Sequence, residues 1–195
     1  MRIAGEHGFT ASREQVWAAL QDPRLLAAAL PGARRLEPTG SDAYALTVDV
    51  GVGSVTGTYE GTFALEDKRA GESCTVRASA SGRPGSVQAV ARMRLRDGPD
   101  GGAALAYEAD ADVTGPLAGV GQRLVCGAAR RTTEQFLGRL DELIAAPPAE
   151  EHGPVPAVAA APRGGTDPRV VAGSALAGFV LALIGVAVGR WTARR

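Results

Sequence analysis

The residue types that could support chemistry here are a cluster of glycines and a few scattered cysteines and histidines. Residues 48–63, VDVGVGSVTGTYEGTF, place Gly51, Gly53 and Gly57 in a G-x-G-x-x-x-G pattern. Such a loop binds phosphate when it opens a helix, because the first amides of the helix hold the anion. Here the glycines lead into strict strand alternation and no Gly-Lys-Ser/Thr is present, which argues against a nucleotide site.

The cysteines and histidines are too far apart in the sequence to indicate a metal site. Cys74, Cys126, His7 and His152 are each isolated, whereas a zinc or haem site needs several ligands that converge. We therefore expect packed thiols, no metal and no resident cofactor. His7 shares parity with apolar residues of the first strand, and a lone histidine in such a row is more often a core residue than a catalyst.

The composition and net charge of the chain limit the classes of partner that it is expected to bind. The chain has 195 residues and a formal net charge of zero, so bulk electrostatics gives no reason for it to bind nucleic acid. Its length allows one domain with a sizeable core and additional segments.

Three parts are predicted along the chain: a domain at 1–146, a linker at 147–168 and an anchor at 169–195. The linker is rich in proline and alanine, a composition that cannot bury a core. Residues 170–189 carry no charge over twenty positions, which as a helix span about 30 Å, the thickness of a bilayer core. The N-terminus lacks an apolar run after its charge. We therefore expect a single-pass membrane protein with its N-terminal domain in the cytoplasm.

The pattern of the domain predicts an α+β fold. Ser12 and Gln15 form a capping-box signature for a first helix, and Pro23 begins a second. Five later segments alternate apolar and polar residues with period two, which predicts half-buried antiparallel strands. A long helix is predicted over 117–144, and its apolar stripe consists of Val120, Leu124, Ala128, Phe136, Leu140 and Leu143.

Small residues dominate the inner rows of the predicted sheet. Gly57, Gly61, Ala78, Ala89 and Ala109 alternate with larger apolar residues. A curved sheet of this composition under one helix favours an apolar cavity. The alternative is that the helix packs closer and fills the space.

Four segments together resemble the CoxG family of carbon monoxide dehydrogenase accessory proteins. They are Asp22-Pro23, Leu30-Pro31-Gly32, the run VGVGSVTGTYEGTFALED and the run GQRLVCGAARRTTEQFLGRL, within about the first 145 residues. The element order is similar to the helix-grip fold of the START and Bet v 1-like (SRPBCC) superfamily, in which a curved antiparallel sheet of about seven strands wraps a long C-terminal helix.

The resemblance implies a non-catalytic accessory protein. Members of the family are associated with molybdenum hydroxylases of the carbon monoxide dehydrogenase type. They are thought to bring the enzyme to the membrane and to handle an isoprenoid quinone, such as menaquinone, or another lipid in the cavity. Here Tyr59 and Tyr107 are the hydroxyls expected to meet a quinone carbonyl, and Leu124→Arg is expected to abolish lipid binding. The residues expected to line the cavity are Val50, Val52, Tyr59, Phe63, Met93, Tyr107, Leu117, Val120 and Leu124.

Two alternative functions remain open at this point. The superfamily contains polyketide cyclases and aromatases, which would need acid–base groups directed into the interior. A docking or maturation adaptor would instead have a filled core and bind no ligand. The contents of the interior distinguish the three functions.

Overall fold

The structure, a computed structural model, describes residues 1–146. These residues form seven β-strands and four α-helices, joined by turns and loops. The predicted linker and anchor lie outside them. No helix within this part of the chain is long and apolar enough to cross a membrane. The elements are β1 (Arg2–Phe9), α1 (Arg13–Ala19), α2 (Pro23–Ala29), β2 (Ala33–Pro38), β3 (Ala43–Val52), β4 (Val55–Arg69), β5 (Ser73–Gly82), β6 (Gly85–Asp97), β7 (Ala103–Val113), α3 (Pro116–Gly119) and α4 (Gln122–Ala145).

All seven strands belong to one antiparallel sheet with the order β1-β7-β6-β5-β4-β3-β2. Consecutive strands from β2 to β7 are neighbours, whereas β1 joins the sheet beside β7. Arg2 lies opposite Asp110 and Phe9 opposite Ala103. The predicted α+β class and sheet of about seven strands are confirmed, and the helices cover one face of the sheet.

The glycine pattern belongs to a hairpin. Gly51 lies within β3 opposite Thr56, and Gly53 with Ser54 forms the two-residue turn into β4. Gly53 has a φ of +60°, a left-handed conformation that glycine adopts without steric cost. Because a strand rather than a helix follows, the pattern offers no ring of helix amides for a phosphate.

The inner face of the sheet is apolar, as the alternation predicts. β3 alternates half-buried and buried positions along its whole length, and β6 buries its odd-numbered residues from Val87 to Leu95. The polar residues between them point to the outer face. The hydrophobic core therefore lies between this face and the helices.

Local capping fixes the two short helices. Ser12 accepts a hydrogen bond from the Gln15 amide while the Gln15 side chain accepts one from the Ser12 amide, so the predicted capping box is present. Asp22 caps α2 by accepting from the Arg24 amide at 2.7 Å, and Pro23 stands at its first turn. α2 then packs against α4 and the short strand β2.

The predicted continuous helix over 117–144 is wrong in one respect, because it is interrupted before residue 122. α3 ends at Gly119, and α4 begins after Gly121, whose φ is +96°. The break changes the phase of the helix. The buried positions of α4 are Val125, Ala129, Thr132, Thr133, Phe136, Leu137 and Leu140.

Leu124 is consequently not on the buried stripe. Its side chain is 57% exposed, because the stripe that begins at Val125 puts residue 124 on the solvent side of the helix. Phe136 and Leu140 are buried as predicted. The expected effect of Leu124→Arg on an interior ligand therefore loses its structural basis.

Candidate functional site

An apolar cavity lies where α2 and α4 meet the inner face of the sheet. Its volume is about 40 Å³. All ten side chains around it are hydrocarbon or thioether groups, so nothing in its wall can ionise. The lining residues are Leu20, Leu26, Leu30, Leu36, Phe63, Leu65, Val76, Ala78, Met93 and Phe136.

Three layers of the fold supply these side chains. β4, β5 and β6 provide the floor, in which Phe63, Ala78 and Met93 alternate with outward polar residues. α2 provides Leu26, and Leu30 follows at its C-cap, four residues later and on the same side of the helix. Phe136 comes from the middle of α4 and is 1% exposed.

The structure brings two of the nine sequence-predicted ligand residues, Phe63 and Met93, to this cavity. Six others lie in the core or against it without lining the cavity, and Leu124 lies on the surface. The four that are buried are Val50, Val52, Tyr59 and Leu117; the two that are partly buried are Tyr107 and Val120.

The contribution of α2 to the cavity is not predicted by the sequence pattern. Leu26, in the predicted second short helix, and Leu30, at its C-cap, line the cavity, although neither is among the residues that the sequence led us to expect there. The available signal was their four-residue spacing, which marks one apolar helix face. It was weak because a helix of two turns carries few such pairs.

The volume of the cavity limits the size of a ligand that it can hold in this conformation. A cavity of about 150 Å³ is known to hold benzene, so a volume of about 40 Å³ is too small for an aromatic ring. An aromatic or lipid ligand would have to displace a wall. α2 is the wall bounded by turns, since its N-cap Asp22 precedes it and Gly32, with a φ of +72°, follows it.

Tyr59 is the most buried aromatic hydroxyl in the described part of the chain. The residue is 1% exposed, and its Oη has no hydrogen-bond partner there. Burial raises the pKa of this phenol above its ordinary value, so the group stays protonated at neutral pH. A buried hydroxyl without a partner costs free energy, because it has lost its water without replacement.

His7 is a second buried polar group without a partner. It lies on the inner face of β1, where its ring meets Phe9 edge-on at 4.8 Å between centroids. Its Nε2 has no partner among the described residues. Burial lowers the pKa of the imidazole below its ordinary value, and the charges of Asp141 and Glu134 partly oppose this shift.

The lowered pKa of His7 predicts a loss of stability in mild acid. The unfolded chain binds a proton near the ordinary pKa of 6.5, whereas the folded chain binds it only at lower pH. The free energy of unfolding should therefore fall as pH drops from above 6.5 through the folded pKa. Urea midpoints at several pH values between 8 and about 5 measure this slope.

His7→Phe is the matched variant for that titration. It keeps an aromatic ring and removes the proton, so its urea midpoint should change less than the wild-type midpoint over the same pH range. Equal slopes in the two proteins would mean that another group causes the acid effect.

Tyr107 lies on β7, the strand next to β1, and its ring packs against β1. Gly5 lies opposite it, and a Cβ on Gly5 would stand 2.4 Å from the tyrosine hydroxyl, so a side chain at position 5 would have to displace the Tyr107 ring. Burial raises the pKa of Tyr107. The contact fixes the ring over β1, on a different strand from those that form the cavity floor.

The described residues offer no metal centre. No group of three histidine, cysteine, aspartate or glutamate side chains converges within residues 1–146. Cys74 is buried and its pKa is raised to about 11 by desolvation, which keeps it a protonated thiol. Both cysteines are free of disulfides.

One protein-family profile matches nearly the whole described domain. The profile describes CoxG, the G subunit of carbon monoxide dehydrogenase, and it matches residues 5–145. No curated protein matches the chain.

Solved structures share the fold. A conserved protein from Geobacillus kaustophilus is 28% identical with a TM-score of 0.71, over 74% of this chain and 95% of that one. A START superfamily protein from Mycobacterium smegmatis is 14% identical with a TM-score of 0.55, over 73% and 96%. A protein from Thermus thermophilus is 15% identical with a TM-score of 0.56, over 74% and 97%. The domain is thus similar to START-like helix-grip proteins over almost their entire length.

Proposed function

This chain belongs to the CoxG family of carbon monoxide dehydrogenase, and from that premise we propose that it is a non-catalytic accessory protein of a molybdenum hydroxylase of the carbon monoxide dehydrogenase type. In this proposal it binds a hydrophobic ligand between sheet and helices, and it tethers the enzyme to the membrane. The ligand is an isoprenoid quinone or another lipid.

The apolar cavity is the observation that carries the proposal. Its wall consists of leucine, valine, alanine, methionine and phenylalanine side chains, which suit a hydrocarbon ligand and provide no general acid or base. A cyclase or aromatase would need such groups at the substrate. The composition of the wall therefore supports binding rather than catalysis.

Transfer of a lipid from a bilayer to a soluble enzyme is the physical task that such a cavity suits. A quinone tail that leaves the bilayer would expose apolar surface to water at a cost of about 25 cal/mol per Å². A protein interior that takes up the tail avoids most of this cost. The proposed anchor at 169–195 would hold the domain beside the bilayer on its cytoplasmic side, within reach of the lipid.

A docking adaptor that binds no ligand is the second candidate, and the small cavity favours it. A volume of about 40 Å³ is what a well-packed core leaves between side chains. In that case function would reside on the outer face of the sheet and in the tail. The two candidates differ in whether lipid is found in the purified protein.

Solvent extraction of the full-length protein tests the proposal. The chain is purified in detergent from a quinone-producing bacterium, and mass spectrometry measures the extracted quinone and lipid. We expect about one ligand molecule per chain. Ala78→Leu adds volume to the cavity floor and should lower the bound ligand roughly tenfold.

Ala64→Leu is the control for that variant. Ala64 lies on β4 beside Phe63 but on the opposite face of the sheet, so the same added volume should leave the ligand content unchanged. Wild-type protein that yields no ligand would support the adaptor instead. Ligand retained in Ala78→Leu would locate the ligand outside this cavity.

A further inference from the structure

The hydroxyl of Tyr59, like Nε2 of His7, is a buried polar group for which the described residues provide no hydrogen-bond partner. Buried polar atoms in folded proteins nearly always have a hydrogen-bond partner, so each exception calls for a cause. Thr132 and Thr133 are also buried, but their hydroxyls donate to the carbonyls of Ala128 and Ala129. Tyr59 has no equivalent acceptor in residues 1–146.

The surroundings of Tyr59 explain why its hydroxyl lacks a partner. On β4 its neighbours on the same face are Gly57 and Gly61, and the residues opposite it are Val48 on β3 and Gly82 on β5. None of these has a polar side chain. No backbone carbonyl of the described residues accepts a hydrogen bond from the hydroxyl either.

Tyr59 also lies in line with the cavity. Phe63, which lines it, is four residues further along the same face of β4, or about 13 Å along the strand. Gly61 between them contributes no side chain, and the Ser79 carbonyl and the Ala80 methyl group of β5 occupy the space where its Cβ would stand. A ligand that widens the cavity and advances along β4 must therefore pass Ala80 to reach Tyr59.

We propose that Tyr59 is the specificity-determining residue of the ligand site, and that its Oη donates a hydrogen bond to a carbonyl oxygen of an uncharged ligand. This inference rests on the proposed function, because it requires a ligand in the interior. Ligand binding would then supply the acceptor that the described residues do not provide.

The charge of the interior selects the class of ligand. The described core buries no lysine, arginine, aspartate or glutamate. A carboxylate or phosphate inside would therefore remain unpaired, at a large cost in free energy. A neutral carbonyl needs only one donor, and the protonated phenol provides it. Quinones and acyl esters both carry such a carbonyl.

Two matched pairs of probes test the hydrogen bond in the full-length protein in detergent. The first pair is a naphthoquinone with one isoprenoid unit and the naphthalene with the same tail, which lacks the carbonyls. The second pair is a dioleoyl ester of glycerol and the dioleyl ether. Within each pair only the carbonyl oxygens differ, so the ratio of affinities isolates their contribution.

Tyr59→Phe is the diagnostic variant. We expect the wild-type protein to prefer the carbonyl member of one pair by about fivefold to tenfold, and Tyr59→Phe to bind both members equally. A preference within the first pair identifies a quinone, and within the second pair an acyl lipid. Tyr44→Phe is the control variant, because it removes a tyrosine hydroxyl that already has a hydrogen-bond partner. The Tyr44 hydroxyl lies 3.5 Å from the Gln21 carbonyl, and the Tyr44 ring stacks on Phe63.

The ligand-free protein gives an independent readout. Removing a buried hydroxyl that has no partner should leave the unfolding temperature of empty Tyr59→Phe equal to or above the wild-type value. A lower value would mean that the hydroxyl has a structural partner, and it would overturn the inference.

Failure of the inference and failure of the proposed function give different results. If the wild-type protein binds both members of a pair equally, or if Tyr59→Phe keeps the wild-type ratio, a ligand is bound but Tyr59 does not hold its carbonyl. If the wild-type protein binds none of the four probes, the proposed ligand-binding function fails, and the inference fails with it.

Discussion

Replacement of Leu140 by arginine is expected to unfold the domain, whereas the same replacement at Leu124 is expected to leave it folded. Leu140 is 0% exposed on α4 and Leu124 is 57% exposed on the same helix. An arginine at 140 would bury an unpaired charge and lose the leucine contacts, at a cost of about 4–5 kcal/mol or more. At 124 the guanidinium reaches water, so the change should stay within about 0.5 kcal/mol.

Urea unfolding followed by circular dichroism measures both variants. Leu140→Arg should show no cooperative transition or one at a much lower urea concentration, and Leu124→Arg should match the wild type. A destabilised Leu124→Arg would contradict the phase of α4. It would then favour the stripe through Val120 and Leu124 that the sequence predicted.

Gly85→Ala is expected to destabilise the domain by about 3 kcal/mol or more. Gly85 has a φ of +134°, a conformation that residues with a Cβ rarely adopt. A Cβ there would also stand 1.9 Å from the Thr114 carbonyl oxygen, so the start of β6 and the end of β7 would have to separate. Urea titration of Gly85→Ala and of the wild-type protein measures the change in the free energy of unfolding, and thermal unfolding measures the change in the unfolding temperature.

Gly127→Ala is the matched control for that variant. Gly127 lies inside α4, and a Cβ there would have no contact within 4 Å. Alanine should therefore stabilise the helix by about 0.5–1 kcal/mol. If both variants were destabilised equally, loss of glycine itself rather than the contact at Thr114 would be responsible.

The strands were predictable from the sequence because each buries one face. Alternation over Ala43–Val52 and Gly85–Asp97 allows only one arrangement of inner and outer residues, since a shift by one position would bury every polar side chain. Asp49 illustrates this. Its parity predicts an outward side chain, and it accepts from Thr58 at 2.7 Å and pairs with Arg34 at 2.6 Å.

The helical side of the site was less predictable. A stripe through Val120, Leu124 and Ala128 has the right spacing, but spacing does not reveal that the chain breaks at Gly121 and restarts in a different phase. The size of the cavity was also beyond the sequence. Small residues on the sheet indicate room for a ligand, yet Leu26 of α2 and Leu30 at its C-cap face the same cavity, whose volume is about 40 Å³.

Partners on the charged outer face were equally hard to predict. The sequence suggests pairing between the arginines of β6 and the acidic residues of β7, and Arg92 does lie opposite Glu108. In the structure Glu108 pairs with Arg2 of β1, and Arg96 pairs with Glu6 of the same strand. β1 is far from both strands in the sequence, so no local pattern reveals that it supplies these partners.

The position of β1 beside β7 also governs when the protein can fold during its synthesis. Arg2 pairs with Asp110, so the first strand leaves the ribosome more than 100 residues before its partner strand is made. At roughly 5–20 residues per second this delay is about 5–20 s. During this delay the side chains of Ile3 and Phe9, which are buried in the folded domain, lack the β7 strand beside which they pack. The two apolar side chains of β1 therefore stay outside the folded core until β7 has been translated.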